Sequence, residues 1–285
     1  MKNNLVHHEA IDSPGLAKKF GIKCKPNSTL QLTLDILLGV FKFAKIHSRA
    51  DLTNKLHDTS TKIKSIRRIL SINYRIILGS SSSVGRTGDP LIIVANHPFG
   101  LVDSLIALEI ALDHRPDVIV LTNIMLSYTR LSSEHISWVD TSPSGRGSSV
   151  NIKSLRRCLK HLRGGGCLLL FPAGACSHLQ RLETGWKIED TEWHSHLGRI
   201  TQQTKTNIIP FYFHGRNSTV FCIGGFISST FRSLMLLREL FNKQGQTINL
   251  TIGRRFDHKE LIGTPTEITN NLRSYVYSLK HQELT

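Results

Sequence analysis

At 285 residues, 40% of them hydrophobic and 20% charged, the chain can bury one full core and has the balance of a globular protein, not a disordered one. Its 36 Lys and Arg against 21 Asp and Glu leave a formal charge of +15, which favours anionic partners: nucleic acid, acidic lipid headgroups or an acidic carrier protein. The five cysteines (Cys24, Cys158, Cys167, Cys176 and Cys222) are scattered without a C-x-x-C pair, which argues against a disulfide framework or a zinc site and for a reducing compartment.

Residues 1–27 are polar, with turn signals at Ser13-Pro14-Gly15 and Lys25-Pro26-Asn27 and no apolar secretory core. Ser28 or Thr29 then caps a run in which Leu30, Leu34, Leu37, Leu38, Phe41 and Ala44 recur at helical spacing, predicting an amphipathic helix over 28–47. Packing on its own domain and lying on a bilayer both suit such a face. The cations around it (Lys42, Lys45, Arg49, Lys55, Lys62, Lys64, Arg67 and Arg68) bring the bilayer reading level with packing on the domain, the commoner case, and both stay open. No window reaches the roughly 18 uncharged apolar residues of a membrane span, so contact with a membrane is expected from one side.

From residue 72 the pattern changes to strands alternating with helices. "INYRIILGS", "PLIIVAN", "PDVIVLTN", "CLLLFPAG", "NIIPFYFHG" and "TINLTIGR" read as strands. "LVDSLIALEIALDH", "NIKSLRRCLKHLRGGG", Phe231 to Lys243 and Glu267 to Lys280 read as helices. The expected fold is α/β, a single domain with a mostly parallel central sheet flanked by helices. Residues 1–71 are expected to form the N-terminal tail and membrane-facing helical element, and 72–285 the α/β domain.

In such sheets functional groups gather where strands end. "IIVAN" ends on His97, and Pro98 and Gly100 bend the chain so that Asp103 can return to the ring. A carboxylate at one ring nitrogen fixes the tautomer and stabilises the imidazolium, which suits a general base. A hydrogen-bonded loop anchor is the commoner role of an isolated His–Asp pair. "LLLFPAGACSH" breaks at Pro172 and Gly174, and "IIPFYFHGRNS" places Arg216, Asn217 and Ser218 just past a glycine. His194-Ser195-His196 and His7-His8 lack partners at metal-ligand spacing, so no metal is expected. The basic helix "KSLRRCLKHLR" has no aromatic platform beside it, so no nucleic acid is expected as partner.

Taken in order, "VANHPFGLVDSL", "LLLFPAGACSH", "DTEWHSHLGRI" and "NIIPFYFHGRNSTVF" resemble the blocks of the lysophospholipid (glycerolipid) acyltransferase superfamily. The nearest branch resembles ornithine-lipid acyltransferases and chains labelled hemolysins. The likeness runs from about Tyr74 to Gly253. It implies transfer of an acyl group from acyl-CoA or acyl carrier protein to a lysolipid hydroxyl, with no cofactor. His97 would be the base and Asp103 its orienting partner. Substrate contacts are implied at Asn96, Phe99 and Gly100, at Phe171, Pro172, Gly174 and Ser177, and at Arg216, Asn217 and Ser218. Backbone N–H groups near Phe99-Gly100 or Gly174 are expected to stabilise the oxyanion. A peripheral position on the cytoplasmic face of an anionic membrane follows from the same likeness.

Two departures bear on the acceptor. Five residues, not the usual four, separate His97 from Asp103, and the FPEG-Thr-Arg-Ser pattern has Ala173 in the Glu position and Cys176 in the Arg position. Losing that carboxylate and guanidinium points away from lysophosphatidate and toward a lyso-ornithine-type aminolipid, unless Arg146, Arg181 or Arg216 substitutes. Lysophosphatidate acylation is the alternative enzyme reading. Membrane binding without catalysis is the alternative of a different class.

Overall fold

The computed structural model describes residues 59–85, 87–123, 134–140, 149–183, 185–227 and 229–281. The helix expected over 28–47, and Arg146, lie outside them. The order begins α1 (Thr59–Ile69), β1 (Asn73–Leu78), β2 (Leu91–Ala95), α2 (Leu101–Leu112), β3 (Val118–Asn123), β4 (Ile136–Val139), α3 (Ser149–Arg163) and β5 (Cys167–Leu170). It continues with β6 (His178–Leu182), β7 (Gly185–Glu189), α4 (His196–Thr204), β8 (Asn207–Phe213), α5 (Thr219–Ile227), α6 (Ser229–Asn242), β9 (Thr247–Ile252) and α7 (Pro265–Ser278).

Seven strands form one sheet in the order β1-β9-β8-β2-β5-β3-β4, parallel except where β8 meets β9. β6 and β7 form a separate antiparallel hairpin. This is the mostly parallel α/β sheet that the strand–helix alternation predicts.

Central β2 explains the burial. Its five residues have no polar side chain and are fully buried, because helices cover both faces of the sheet. Leu91, Ile93 and Ala95 point into a core shared with Ile63 of α1 and Ile106 and Ile110 of α2. Ile92 and Val94 point into the opposite core, with Leu162 of α3, Ile200 of α4 and Leu272 and Val276 of α7.

Helix α1 belongs to this packing, so the α/β body begins upstream of residue 72. Ile63 is fully buried, and Arg67 donates through Nε and Nη2 to both carboxylate oxygens of Glu109, at 2.7 and 3.0 Å. Lys64 pairs with Asp113. Two of the cations assigned from the sequence to a membrane-facing segment are therefore turned onto carboxylates, Glu109 in α2 and Asp113 just past its end. Among the described residues no helix is long and apolar enough to cross a membrane.

Glu109 is almost fully buried, so removing its guanidinium partner leaves a stranded charge. Arg67→Met is expected to cost about 3–5 kcal/mol in urea unfolding. Arg68→Met, on the exposed side of the same helix, should stay within about 0.5 kcal/mol.

Candidate active site

β2 lies between β5 and β8 and runs parallel to both, so the loops leaving all three strands emerge at the same end of the sheet. Blocks about 80 and 120 residues apart in sequence are thereby brought side by side. Asn96 ties the first to the third. Its amide donates to the Phe213 carbonyl at 3.0 Å and accepts from the Phe213 N–H at 2.7 Å. Expected to contact substrate, Asn96 is instead a buried clamp between strand ends.

His97 follows at the rim, its side chain 16% exposed. Asp103 Oδ1 lies 2.9 Å from His97 Nδ1 and is itself fully buried. The other oxygen, Oδ2, accepts from the N–H groups of Phe99 at 2.8 Å and Gly100 at 3.1 Å. Asp103 stands in the first turn of α2, where the helix dipole also favours a carboxylate. Gly100 makes the turn at φ 82°, and a Cβ there would lie 2.8 Å from Cys176 Sγ and 2.7 Å from a Leu236 methyl. The turn therefore needs glycine, both for its left-handed backbone and for the space.

The expected oxyanion donors are already engaged. The Phe99 and Gly100 N–H groups hold Asp103, and the Gly174 N–H donates to the Phe171 carbonyl at 3.0 Å. These three amides build the site instead of facing a substrate.

The second loop closes over the histidine. Phe171 packs its ring 4.2 Å from the imidazole, centroid to centroid, and the Ser177 N–H donates to the His97 carbonyl at 2.9 Å. Pro172 and Ala173 are buried, while Gly174 is exposed. The Ser177 hydroxyl is engaged within the protein, donating to Asp190 at 2.5 Å.

Asp190 is the residue that sequence reasoning missed. It is 1% exposed, and its carboxylate accepts from the His97 N–H at 3.1 Å, Ser177 Oγ and Trp193 Nε1 at 3.1 Å. Its own N–H donates to Tyr277 Oη, and Arg273 donates to its carbonyl, so α7 fixes the segment that fixes His97. In the sequence, Glu189, Asp190, Thr191 and Glu192 look like a solvated acidic stretch. The signal was the "DTEW" block itself.

In the third loop, Ser218 donates through N–H and Oγ to Glu239 of α6, at 2.8 and 2.6 Å. Lys243 donates to the Arg216 carbonyl at 3.0 Å and stands 5.0 Å over the Phe99 ring. Ser218 is thus an anchor and Arg216 is exposed. Asn217 is buried, and its amide has no hydrogen-bond partner among the described residues.

Burial works most strongly against a charged ring at His97, but the Asp103 carboxylate and the Cys176 sulfur together outweigh it. The net result holds the imidazole pKa well above its usual range. Burial also pushes the Asp190 carboxyl upward, opposed by its hydrogen bonds from Ser177, Trp193 and the His97 N–H. The arrangement is a rim imidazole with one nitrogen committed to a buried carboxylate, leaving Nε2 to exchange a proton with a bound hydroxyl.

Residues 77–214 match the family model described as Acyltransferase. A lyso-glycine lipid O-acyltransferase of Phocaeicola vulgatus is 30% identical over 123 residues, 39% of this chain and 42% of the relative. Another, from Bacteroides thetaiotaomicron, is 29% identical over 123 residues, 39% of this chain and 43% of that one. The matches therefore span less than half the length of these relatives. The crystal structure of the 1-acyl-sn-glycerophosphate (LPA) acyltransferase from Thermotoga maritima superposes with a TM-score of 0.50 at 14% identity, covering 89% of this chain and 98% of that one. That likeness shows the fold.

The pairing has a measurable titration. By NMR, the His97 ring is expected to hold its proton well above the ordinary pKa of about 6.5. In Asp103→Asn, burial is left without its counter-charge and should push the value below about 6.5. Because the folded ring binds its proton more tightly, the pair adds stability below the unfolded pKa of about 6.5 and loses it as pH rises through the folded value.

Proposed function

From the premise that residues 77–214 belong to the acyltransferase family, within the lysophospholipid (glycerolipid) acyltransferase superfamily, we propose that this chain acylates a lyso-aminolipid. The donor is an acyl thioester, acyl-CoA or acyl carrier protein, and the acceptor group is a hydroxyl. The observation that carries the reading is the 2.9 Å contact between His97 Nδ1 and a carboxylate pinned by two backbone amides.

The chemistry follows from that contact. With Nδ1 held by Asp103, Nε2 of the neutral ring takes the acceptor's hydroxyl proton as its oxygen attacks the thioester carbonyl. The C–S bond then breaks, and the departing thiolate recovers the proton from the imidazolium. An ester and a free thiol result, the enzyme returns unchanged, and no acyl-enzyme is required. General-base assistance of this kind is worth about a hundred- to ten-thousandfold. Since only the neutral ring can act, and its pKa is held high, the rate is expected to climb with pH on the alkaline side of neutrality.

The aminolipid acceptor is favoured by what stands in the second loop. Ala173 lies in an apolar core with Ile92 and Val94, and Cys176 packs with Phe221 and Met235. Neither supplies the charged hydrogen bonds with which a glutamate and arginine would engage a glycerol phosphate. The relatives named as lyso-glycine lipid O-acyltransferases support the same class of acceptor. In this reading the enzyme works peripherally, on the cytoplasmic face of a membrane.

Assays of the purified chain against a panel of lysolipids test the reading. Lyso-aminolipids should be acylated with kcat/KM at least about tenfold above lysophosphatidate, a difference of about 1.4 kcal/mol in transition-state binding. His97→Ala should lose about a hundredfold or more in kcat. Equal use of lysophosphatidate, or a His97→Ala variant of near wild-type rate, would remove the proposal.

A further inference from the structure

Helix α5 turns two opposite faces to very different surroundings. Phe221 and Cys222 pack inward with Cys176 and Met235, while Val220 and Ile223, three residues apart on the other side, are 56% and 46% exposed. The β6–β7 hairpin extends this surface. Arg181 lies opposite Trp186, on the hairpin face that also carries Ile188. Ile188 packs into the cluster beneath α5, so Arg181 and Trp186, farther toward the turn, emerge beside the helix. Trp186 is 55% exposed, and Arg181 is exposed. Arg216, exposed in the loop that leads into α5, supplies a second cation. Neither arginine is in an ion pair among the described residues, and Glu183 in the hairpin turn is the one exposed carboxylate between Arg181 and Trp186.

We propose that α5 and the β6–β7 hairpin are a membrane-docking surface, with Val220, Ile223 and Trp186 entering an anionic lipid bilayer and Arg181 and Arg216 meeting its phosphates. The inference rests on the acyltransferase reading for its purpose and on this surface for its substance. Exposed aliphatic side chains beside an exposed indole and guanidinium groups match the layered chemistry of a bilayer boundary: acyl chain, interface and headgroup. A phosphate accepts paired hydrogen bonds from a guanidinium, and the chain's +15 charge favours an anionic surface over a neutral one. Position adds the functional link. Cys176, under α5, touches the Gly100 turn that sets Asp103 against His97, so an acceptor leaving the bilayer here has one helix to pass.

The test uses the full chain in a Cys24→Ser background, with an environment-sensitive fluorophore on Val220→Cys and vesicles of mixed phosphatidylglycerol and phosphatidylcholine. The label is expected to brighten several-fold and shift to the blue, less so with pure phosphatidylcholine. The same label on Ile262→Cys, an exposed apolar site outside the surface, should not respond. A silent Val220 label, whether or not the protein sediments with the vesicles, overturns the proposal, as does an equal response from both labels. In parallel, Ile223→Glu should slow acylation of a vesicle-borne acceptor several-fold while leaving a monomeric short-chain acceptor unaffected. Equal slowing of both would place Ile223 in the fold or the site and contradict docking. If wild type acylates neither acceptor, the catalytic reading fails, while the Val220 response still decides the surface.

Discussion

The Asp103 carboxylate is the constraint on which the site depends. It is fully buried, and an isolated carboxylate in such a place would cost several kcal/mol. Two backbone amides, the helix dipole and the His97 ring offset that cost, and each also fixes a position. The amides set the Pro98–Gly100 turn, the dipole sets the carboxylate at the start of α2, and the imidazole is left with one orientation. The feature that stabilises the charge is therefore the feature that aims the imidazole.

The sheet does the rest at longer range. Parallel neighbours β5, β2 and β8 deliver their loops to one end, and three polar contacts knit them together. These are Asn96 to the Phe213 backbone, Ser177 N–H to the His97 carbonyl, and Asp190 to the His97 N–H. Asp190 carries restraint from α7 into the His97 turn through Tyr277 and Arg273. Several residues that look like substrate ligands by type and place, Asn96, Ser177 and Ser218 among them, are used up in this internal bonding. What reaches the rim is smaller: the imidazole edge, with Phe171, Ala173 and Cys176 buried behind it where a phosphate-binding site would need charge.

The fold was legible where one side-chain pattern had one meaning. The unbroken Ile/Val run of β2 can only be a strand buried on both faces, and Pro98 and Gly100 mark the turn that returns Asp103 to His97. Shorter elements were not legible. β4 has four residues, the β6–β7 hairpin mixes polar and apolar types without a strong period, and α4 and α5 are nine residues each. Their stability comes from packing on the sheet, which local sequence does not record. The fate of backbone donors was hidden for a related reason. Phe99, Gly100 and Gly174 looked available for an oxyanion, and only the three-dimensional arrangement reveals that each is already bonded. Asp190 was hidden too, because its burial is imposed by Trp193 and α7 and not by its acidic neighbours.

Mass spectrometry of lipids from cells expressing the wild-type or the His97→Ala chain tests the central claim most directly. Wild type is expected to convert a lyso-aminolipid to a product heavier by one acyl group, and His97→Ala, folded and equally abundant, to leave the lysolipid unconverted. The same acylated product from both chains would contradict the assignment of His97 as the base.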